Sequence, residues 1–302
     1  MIDRYLLRYF LAVVDQGGFS RAAVSCRVSQ PTLSVGIAKL ERIVGAPLFN
    51  RTNRRVELTE VGARFVDHAR RIETAFGAAE AVAQSTDARP LIRLGILSTL
   101  PGRWLEAALT RIRNEAPDER VEILEAAQKD LNPLLSRGRI DLALGIVGTD
   151  PRARQRLFTE PYALALSTTH RFADEDSVRG EDLAEDTMIV RRHCEALSET
   201  SRHFTRRGVR PFMAARTISD DRALSYVRSG VGLTVMPRCF ASEGVAMPLL
   251  AGFDLTREIG FLIEADSVQR VERTRAADIL AETYLASSGS PASDWTGAGG
   301  AV

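Results

Sequence analysis

A helix that reads nucleic acid needs hydrogen-bonding side chains near its N-terminus and cations close by to meet phosphate. One stretch of this chain offers both. Ser29, Gln30, Pro31, Thr32, Ser34 and Lys39 fall along a predicted helix opened by Ser29 as N-cap. Pro31 sits in its first turn, where a missing N–H costs little. Leu33, Ile37, Leu40 and Val44 recur at i, i+4, i+7 and i+11, forming one apolar stripe and leaving the polar set on the other faces. A shorter helix precedes it, with Ser20 and Arg21 at its start and Ala22, Ala23 and Cys26 small enough to let another helix approach. Asn50, Arg51, Thr52, Arg54 and Arg55 follow, placed to reach phosphates or a minor groove. The pattern fits a helix-turn-helix with a basic wing, and equally an ordinary helical hairpin with a solvated polar face.

Charge separates the two. Residues 1–58 carry nine Arg and Lys against four Asp and Glu, a surplus of five, whereas the whole chain is only +1. A basic end on an otherwise acidic remainder points to a polyanion partner for that end alone, and favours double-stranded DNA.

The same residues resemble the winged helix-turn-helix of LysR-type transcriptional regulators. The likeness is carried by AxVDQGGFSRAA, by SQPTLSxxIxxLE from Ser29 to Glu41, and by GAPLFNRTNRRVELTEVG from Gly45 to Gly62. One departure is Val35 and Gly36, where members of that family often carry a long polar or basic residue. Base readout is then expected to lean on Gln30, Thr32 and Ser34, with more shape readout through the wing arginines.

The elements that must position this unit come next. Arg4 to Gln16 reads as a helix that packs through Leu7, Phe10, Leu11 and Val14 and ends at Gly17-Gly18. Thr59 can cap a long helix from about Glu60 to Gln84. On it Phe65, Ala69, Ile72, Phe76, Ala79 and Ala83 are spaced 4-3-4-3-4, a narrow heptad seam that suits a partner helix as well as a core. The expected division is a DNA-binding domain over 1–58, a dimerisation helix over 59–88 and an effector-binding domain over 89–286. A disordered Gly/Ser/Ala-rich tail over 287–302 completes it.

Beyond the polar stretch 85–90, strand and helix patterns alternate: strands at Leu91 to Leu97, Val121 to Glu125, Asp141 to Ile146, Phe158-Thr159 and Tyr162 to Ser167, with helices between. Further strands are expected at Met188 to Val190, Met213 to Thr217, Leu233 to Met236 and Ile259 to Glu264. Alternation of this kind argues for α/β architecture with mostly parallel sheets in two lobes. The fold class is therefore mixed: an all-α winged helix-turn-helix and linker helix, then a two-lobed α/β domain. The resemblance implies that this domain is similar to periplasmic solute-binding proteins. Lobe I is then about 89–161 and 268–286 and lobe II about 162–267, with crossings near Pro161-Tyr162 and Glu264 to Ser267 and a return helix from Val268 to Ala286.

In such a fold the effector lies in the crevice between lobes, near strand C-terminal ends. The candidates by position are Ser98, Thr99, Gln128, Lys129, Val147 and Gly148 from the first lobe, and Arg191, Arg192, His193, Cys194 and Ser219 from the second. Hydroxyls, helix N-terminal amides and cations suit a small organic anion. Each is also an ordinary cap or surface charge. His193-Cys194 falls where the peroxide-sensing branch of the family has its reactive pair, among arginines that would lower a thiol pKa, but His203 stands where that branch has its resolving cysteine. A thiol-responsive regulator is thus the alternative to a ligand-responsive one.

Other classes are disfavoured. Four histidines stand in no metal-ligand or triad-like setting, Gly145-x-x-Gly148 is too sparse for a phosphate loop, and no catalytic residue, metal or cofactor is expected. A solute-binding module without DNA is disfavoured by the basic N-terminal unit. Three widely spaced cysteines make no secreted disulfide framework, and no apolar run approaches the ~20 residues needed to span a bilayer. The chain reads as cytoplasmic, without a membrane partner. The resemblance implies a homodimer or homotetramer, a small-molecule effector, and RNA polymerase as a further partner.

Overall fold

The structure, a computed structural model, describes residues 1–51, 56–84 and 89–289. It divides into two compact units. The first begins with α1 (Arg4–Gln16), which buries Leu6, Leu7, Phe10 and Val13. Leu11 and Val14, expected on that face, are only half-buried, because three neighbouring helices pack on an arc centred on Phe10 rather than on a narrow seam. Gly17 adopts the left-handed conformation (φ 64°) and ends the helix with a bond to Val13 O.

Helix α2 (Phe19–Ser25) buries Ala22 and Ala23, and α3 (Gln30–Val44) buries Leu33, Gly36, Ile37 and Leu40. The Ser29 hydroxyl accepts the Thr32 N–H at 3.2 Å, as an N-cap should. Strands β1 (Phe49–Arg51) and β2 (Val56–Leu58) pair antiparallel. The Pro-Leu-Phe turn before them is fixed by the motif's own residues. Glu41 Oε1 accepts the N–H groups of Leu48 and Phe49 at 2.9 and 3.2 Å. Thr59 donates to Pro47 O at 2.7 Å and accepts from Gly62 N at 2.9 Å, capping α4 (Glu60–Gln84). A Cβ on Gly62 would lie 2.1 Å from Leu48 O, so only glycine allows that approach.

The expected heptad seam on α4 divides in two. Ala69 is buried and Phe65 half-buried in the core of the first unit, whereas Ile72 and Phe76 are exposed. Arg4 covers part of the bare section, its guanidinium 4.9 Å from the Phe76 ring centre while it pairs with Glu73 and Glu80. The Ala83 side chain and residues 85–88 lie outside the described residues.

The second unit opens with parallel strands β3 (Leu91–Leu97), β4 (Arg120–Ala126) and β5 (Leu142–Ile146), ordered β4-β3-β5 and connected through α5 (Gly102–Glu115) and α6 (Gln128–Ser136). The next strand, β6 (Ala153–Ser167), is one unbroken strand where two were expected. It is followed by β7 (Ser177–Val178), β8 (Thr187–Arg191), α7 (Leu197–Arg206), β9 (Phe212–Thr217), α8 (Asp220–Arg228), β10 (Thr234–Pro237), β11 (Val245–Ala246), β12 (Leu249–Leu250) and β13 (Thr256–Leu262). Strand β13 pairs with β6 from Ala153 to Pro161, and β10 pairs with it from Tyr162 to Ala165. Pro161, which has no N–H to give, sits where β6 changes partner.

Two expectations are corrected here. Among the described residues parallel pairing is found in β4-β3-β5, in β8-β9, in the short β7-β12 contact and in a single bridge from Met188 to Leu233. Strands β6, β10 and β13 run antiparallel, because a chain leaving a lobe along one strand returns beside it in the opposite sense. The return crossing falls at Leu255–Thr256 rather than near Glu264 to Ser267, since β13 already packs its Ile259 and Phe261 into the first lobe's core while Phe253 belongs to the second.

The expected return helix from Val268 to Ala286 is two helices, α9 (Val268–Val271) and α10 (Arg275–Ser288). The break at 272–274 lets the Glu119 carboxylate accept the N–H groups of Arg275 and Ala276 at 2.7 and 3.0 Å, capping α10 from a distance. The helix extends two residues into the stretch expected as tail, and residues 290–302 lie outside the described residues. Among the described residues no helix is long and apolar enough to cross a membrane.

Candidate DNA-binding surface and effector seam

In the first unit Ser20, Arg21, Ser29, Gln30, Pro31, Thr32 and Lys39 are exposed and Ser34 is half-buried. Lys39 is not held ready for phosphate alone: its Nζ donates to Tyr5 Oη at 2.9 Å and to Asp3 at 3.3 Å, and those bonds raise its pKa. Thr32 Oγ1 lies 2.7 Å from Ser29 Oγ, so the two hydroxyls orient one another. The two residues that depart from the family pattern separate. Gly36 faces inward, where a Cβ would meet the Tyr9 ring at 2.6 Å, while Val35 is 69% exposed on the outer face. Arg42, counted in the basic charge of this segment but not among the expected DNA contacts, is exposed on that face one helical repeat beyond Val35. The side chain of Arg51 and the whole of Thr52, Arg54 and Arg55 lie outside the described residues.

In the second unit the effector candidates separate into three groups. Some serve the fold. Gln128 brackets the Ile146 backbone, donating to its O and accepting from its N at 2.9 Å. Val147 is buried, and its N–H donates to Glu258 O. Ser219 caps α8 by accepting from Arg222 N at 3.3 Å. Ser98 is half-buried, its N–H bonded to Ala126 O. Lys129 and Arg192 are exposed.

A second group clusters after β8. Arg191 is buried; its Nε donates to Asp220 Oδ1 at 2.5 Å, and its Nη1 to Cys194 Sγ at 3.1 Å and Val235 O at 3.2 Å. His193 Nε2 lies 3.1 Å from the same Asp220 oxygen. Burial works against the Asp220 charge, but His193 and Arg191 outweigh it and hold its pKa down at about 2. For Cys194 burial wins over Arg191, and the thiol pKa is raised.

Thr99 belongs to the third group, which joins the lobes. It is fully buried, and its hydroxyl donates to Glu195 Oε2 at 3.0 Å while accepting from Arg257 Nη1 at 3.0 Å. Arg257 also donates to Thr99 O, to Glu195 Oε1 at 2.7 Å, to Glu160 Oε1 at 2.9 Å and to Cys239 Sγ at 3.3 Å. Tyr162 adds a 2.5 Å bond to Glu195 Oε1. Burial disfavours the Glu195 carboxylate, yet Arg257 and the Tyr162 hydroxyl hold its pKa below the usual range. Arg257, Glu160, Glu195 and Tyr162 were absent from the sequence candidates. The legible signal was alternation: Arg257 shares a strand face with Ile259 and Phe261, and Glu160 with Phe158 and Tyr162, and a charge on a buried face must have a partner.

Among the described residues no cluster of three or more His, Cys, Asp and Glu could hold a metal ion. An exposed helix-turn-helix with a wing, followed by two lobes joined at a buried polar seam, defines a ligand-responsive DNA-binding regulator. Residues 5–63 match the bacterial regulatory helix-turn-helix family of lysR type, and residues 85–284 match the LysR substrate binding domain. The chain belongs to the LysR family.

Two curated relatives are of similar likeness. A probable hydrogen peroxide-inducible genes activator of Mycobacterium leprae is 30% identical over 287 residues, covering 91% of this chain and 92% of that one. The HTH-type transcriptional regulator AlsR of Bacillus subtilis is 29% identical over 242 residues, 76% and 79% of the two chains. Among solved structures, a variant of full-length OxyR from Pseudomonas aeruginosa aligns with TM-score 0.56 at 23% identity over 94% of both chains. HinK from the same organism aligns at 0.51 and 23% over 94% of this chain and 99% of that one. Both are similar in fold.

Proposed function

We propose that this LysR-type regulator binds operator DNA through residues 1–58 and is controlled by a small organic anion held between its lobes. The observation that carries the effector reading is the seam itself. Thr99 and Arg257 already hold a carboxylate, that of Glu195, and an effector carboxylate competes for the same donors. Exchange of an internal for an external carboxylate shifts the balance between two lobe arrangements, which requires different affinity for each. Calorimetry against a panel of small organic anions and their neutral and cationic analogues tests this. Anions bind, and Thr99→Ala weakens them at least tenfold; binding confined to neutral or cationic compounds overturns the reading.

On the DNA side, Gln30, Thr32 and Ser34 read base edges, Val35 meets a thymine methyl, and Ser20, Arg21, Ser29, Pro31, Lys39, Arg51, Thr52, Arg54 and Arg55 line or anchor the backbone contact. Helix α4 pairs subunits through Ile72 and Phe76, giving a homodimer that reads two half-sites, or a homotetramer. Contact with RNA polymerase, a cytoplasmic location and the absence of catalytic activity complete the reading. Light scattering that finds a monomer with DNA binding intact rejects the pairing.

A second reading, response to peroxide through Cys194, is favoured by the Arg191 Nη1–Sγ contact and opposed by the thiol's burial. Cys194 oxidation by hydrogen peroxide no faster than that of free cysteine removes it.

A further inference from the structure

The chain passes from β5 to β6 through a loop at 147–152, and the first residues of β6 reach back over it. The register of β6 on β13 skips Arg154 and Leu157, two bulges close together. Bulges re-aim side chains, and here Arg154 and Arg156 are both exposed, with Gln155 half-buried between them. Arg154 Nη1 reaches Pro151 O and Arg156 Nη2 reaches Gly148 O, each at 3.4 Å, so both guanidiniums lie over the loop. Loop and strand together enclose an open concavity of about 460 Å³.

Donors gather in it without acceptors to match. Arg154 has only that long bond and pairs with no carboxylate among the described residues, so most of its N–H groups remain available. Arg156 gives Nη1 to Glu258 at 3.1 Å and keeps Nε. The backbone N–H groups of Gly148 and Thr149 meet no acceptor among the described residues, and Gly148 is left-handed (φ 45°). Successive free amides at such a turn make a concavity that suits an anion. The carboxylate in the lining, Asp150, is already neutralised: Arg152 donates to its two oxygens at 2.9 and 2.7 Å, and that pairing lowers its pKa.

The geometry points to an oxyanion site here, within lobe I, taking the phosphate group of a small phosphorylated molecule. A phosphate monoester brings three terminal oxygens and roughly two negative charges to two guanidiniums and a pair of amides. A carboxylate brings fewer of both, and inorganic phosphate leaves most of the concavity empty. The site lies apart from the inter-lobe seam. Thr99, Glu160, Glu195 and Arg257 are not among its walls, and Glu160 is about 13 Å further along β6 from Arg156.

The test uses the full chain, glucose 6-phosphate as probe, and phenylglyoxal modification of arginine followed by mass spectrometry of the peptide that contains Arg154 and Arg156. Glucose 6-phosphate slows modification of both severalfold and saturably. Glucuronate, with a carboxylate at the same sugar position, protects at least tenfold less, and inorganic phosphate at least fivefold less. Arg154→Gln leaves Arg156 as reporter and lowers its protection at least tenfold. Thr149→Glu, which sets a carboxylate among the donors, abolishes protection of both; these two residues are exposed, so the fold tolerates the changes. Thr99→Ala leaves protection unchanged. Absence of protection by glucose 6-phosphate, or equal protection by glucuronate or inorganic phosphate, overturns the inference. Equal protection of Arg206, an exposed arginine of the other lobe, shows screening alone and overturns it too. Protection lost in Thr99→Ala but kept in Arg154→Gln and Thr149→Glu also overturns it and leaves the inter-lobe effector reading standing.

Discussion

Glu195 brings its carboxylate to 3.0 Å from the Thr99 hydroxyl, so two residues 96 positions apart close the seam between lobes from opposite sides. Each is held by Arg257, which donates to both. The carboxylate is therefore part of the lobe-to-lobe contact as well as a rival to any acidic ligand.

Glu195→Gln keeps the shape of that contact and removes its charge. A charge-assisted bond in such a setting contributes about 1.5–3 kcal/mol, so denaturant unfolding of the variant shows a loss of about that size. Affinity for an anionic effector rises, because the internal competitor is weaker. An unfolding midpoint equal to wild type would show that the seam carries little energy.

The Asp220 pKa of about 2 gives stability a predictable acid limb. A carboxylate depressed in the folded state contributes fully above its unfolded value, about 3.9, and that contribution fades as pH falls toward the folded value. Roughly 2 kcal/mol should disappear between pH 4 and pH 2. Unfolding free energies measured across that window in wild type and Asp220→Asn check this, and equal slopes for the two would refute it.

Two glycines of the DNA-binding unit should respond differently to an added methyl. At Gly62 the methyl meets the Leu48 carbonyl, which belongs to the backbone and cannot swing away. Gly62→Ala is expected to cost about 3 kcal/mol or more and to loosen the wing. At Gly36 the obstacle is the Tyr9 ring, a half-buried side chain that can rotate, and alanine regains ~1 kcal/mol of helix propensity. Gly36→Ala should stay within about 1 kcal/mol of wild type in thermal unfolding, and a reversed ranking would refute the geometry.

DNA binding by the Arg54→Ala, Arg55→Ala double variant should lose affinity on all sequences, with the slope of log affinity against log salt shallower by roughly 2. Loss of sequence preference as well would indicate shape readout by the wing. Val35→Ala, by contrast, should keep the salt slope and weaken only operators with thymine at one position. Gel shifts on an operator series at several salt concentrations distinguish the two.

Much of the fold was legible because its periodicity is strong. The bounds of α1 and α4 match the expected ones, since Gly17 ends α1 in the left-handed conformation and Thr59 caps α4. The Pro-Leu-Phe-x-Arg and Leu-Thr-x-x-Gly patterns also proved to be one device, since Glu41, Thr59 and Gly62 all act on the same turn. What escaped was non-local. Two strands were expected where β6 is one, and Pro161 is tolerated inside it because it sits where the strand changes partner. Arg257 lay outside the strand expected at Ile259 to Glu264, and its partners Thr99 and Glu195 are 158 and 62 residues away. Gly36 looked like a missing base contact, when its neighbour is Tyr9.

Strand β6 runs without interruption from one lobe into the other, hydrogen-bonded along both halves. Such a connection behaves as a torsion bar rather than a tether. It resists bending and stretching because either would break ladder bonds on one side, but it yields to twist, which strands accommodate by small changes at every residue. The lobes can then rotate about the strand far more readily than they can separate. A ligand that favoured one arrangement of the lobes would then act by turning one about the strand rather than by drawing the two apart.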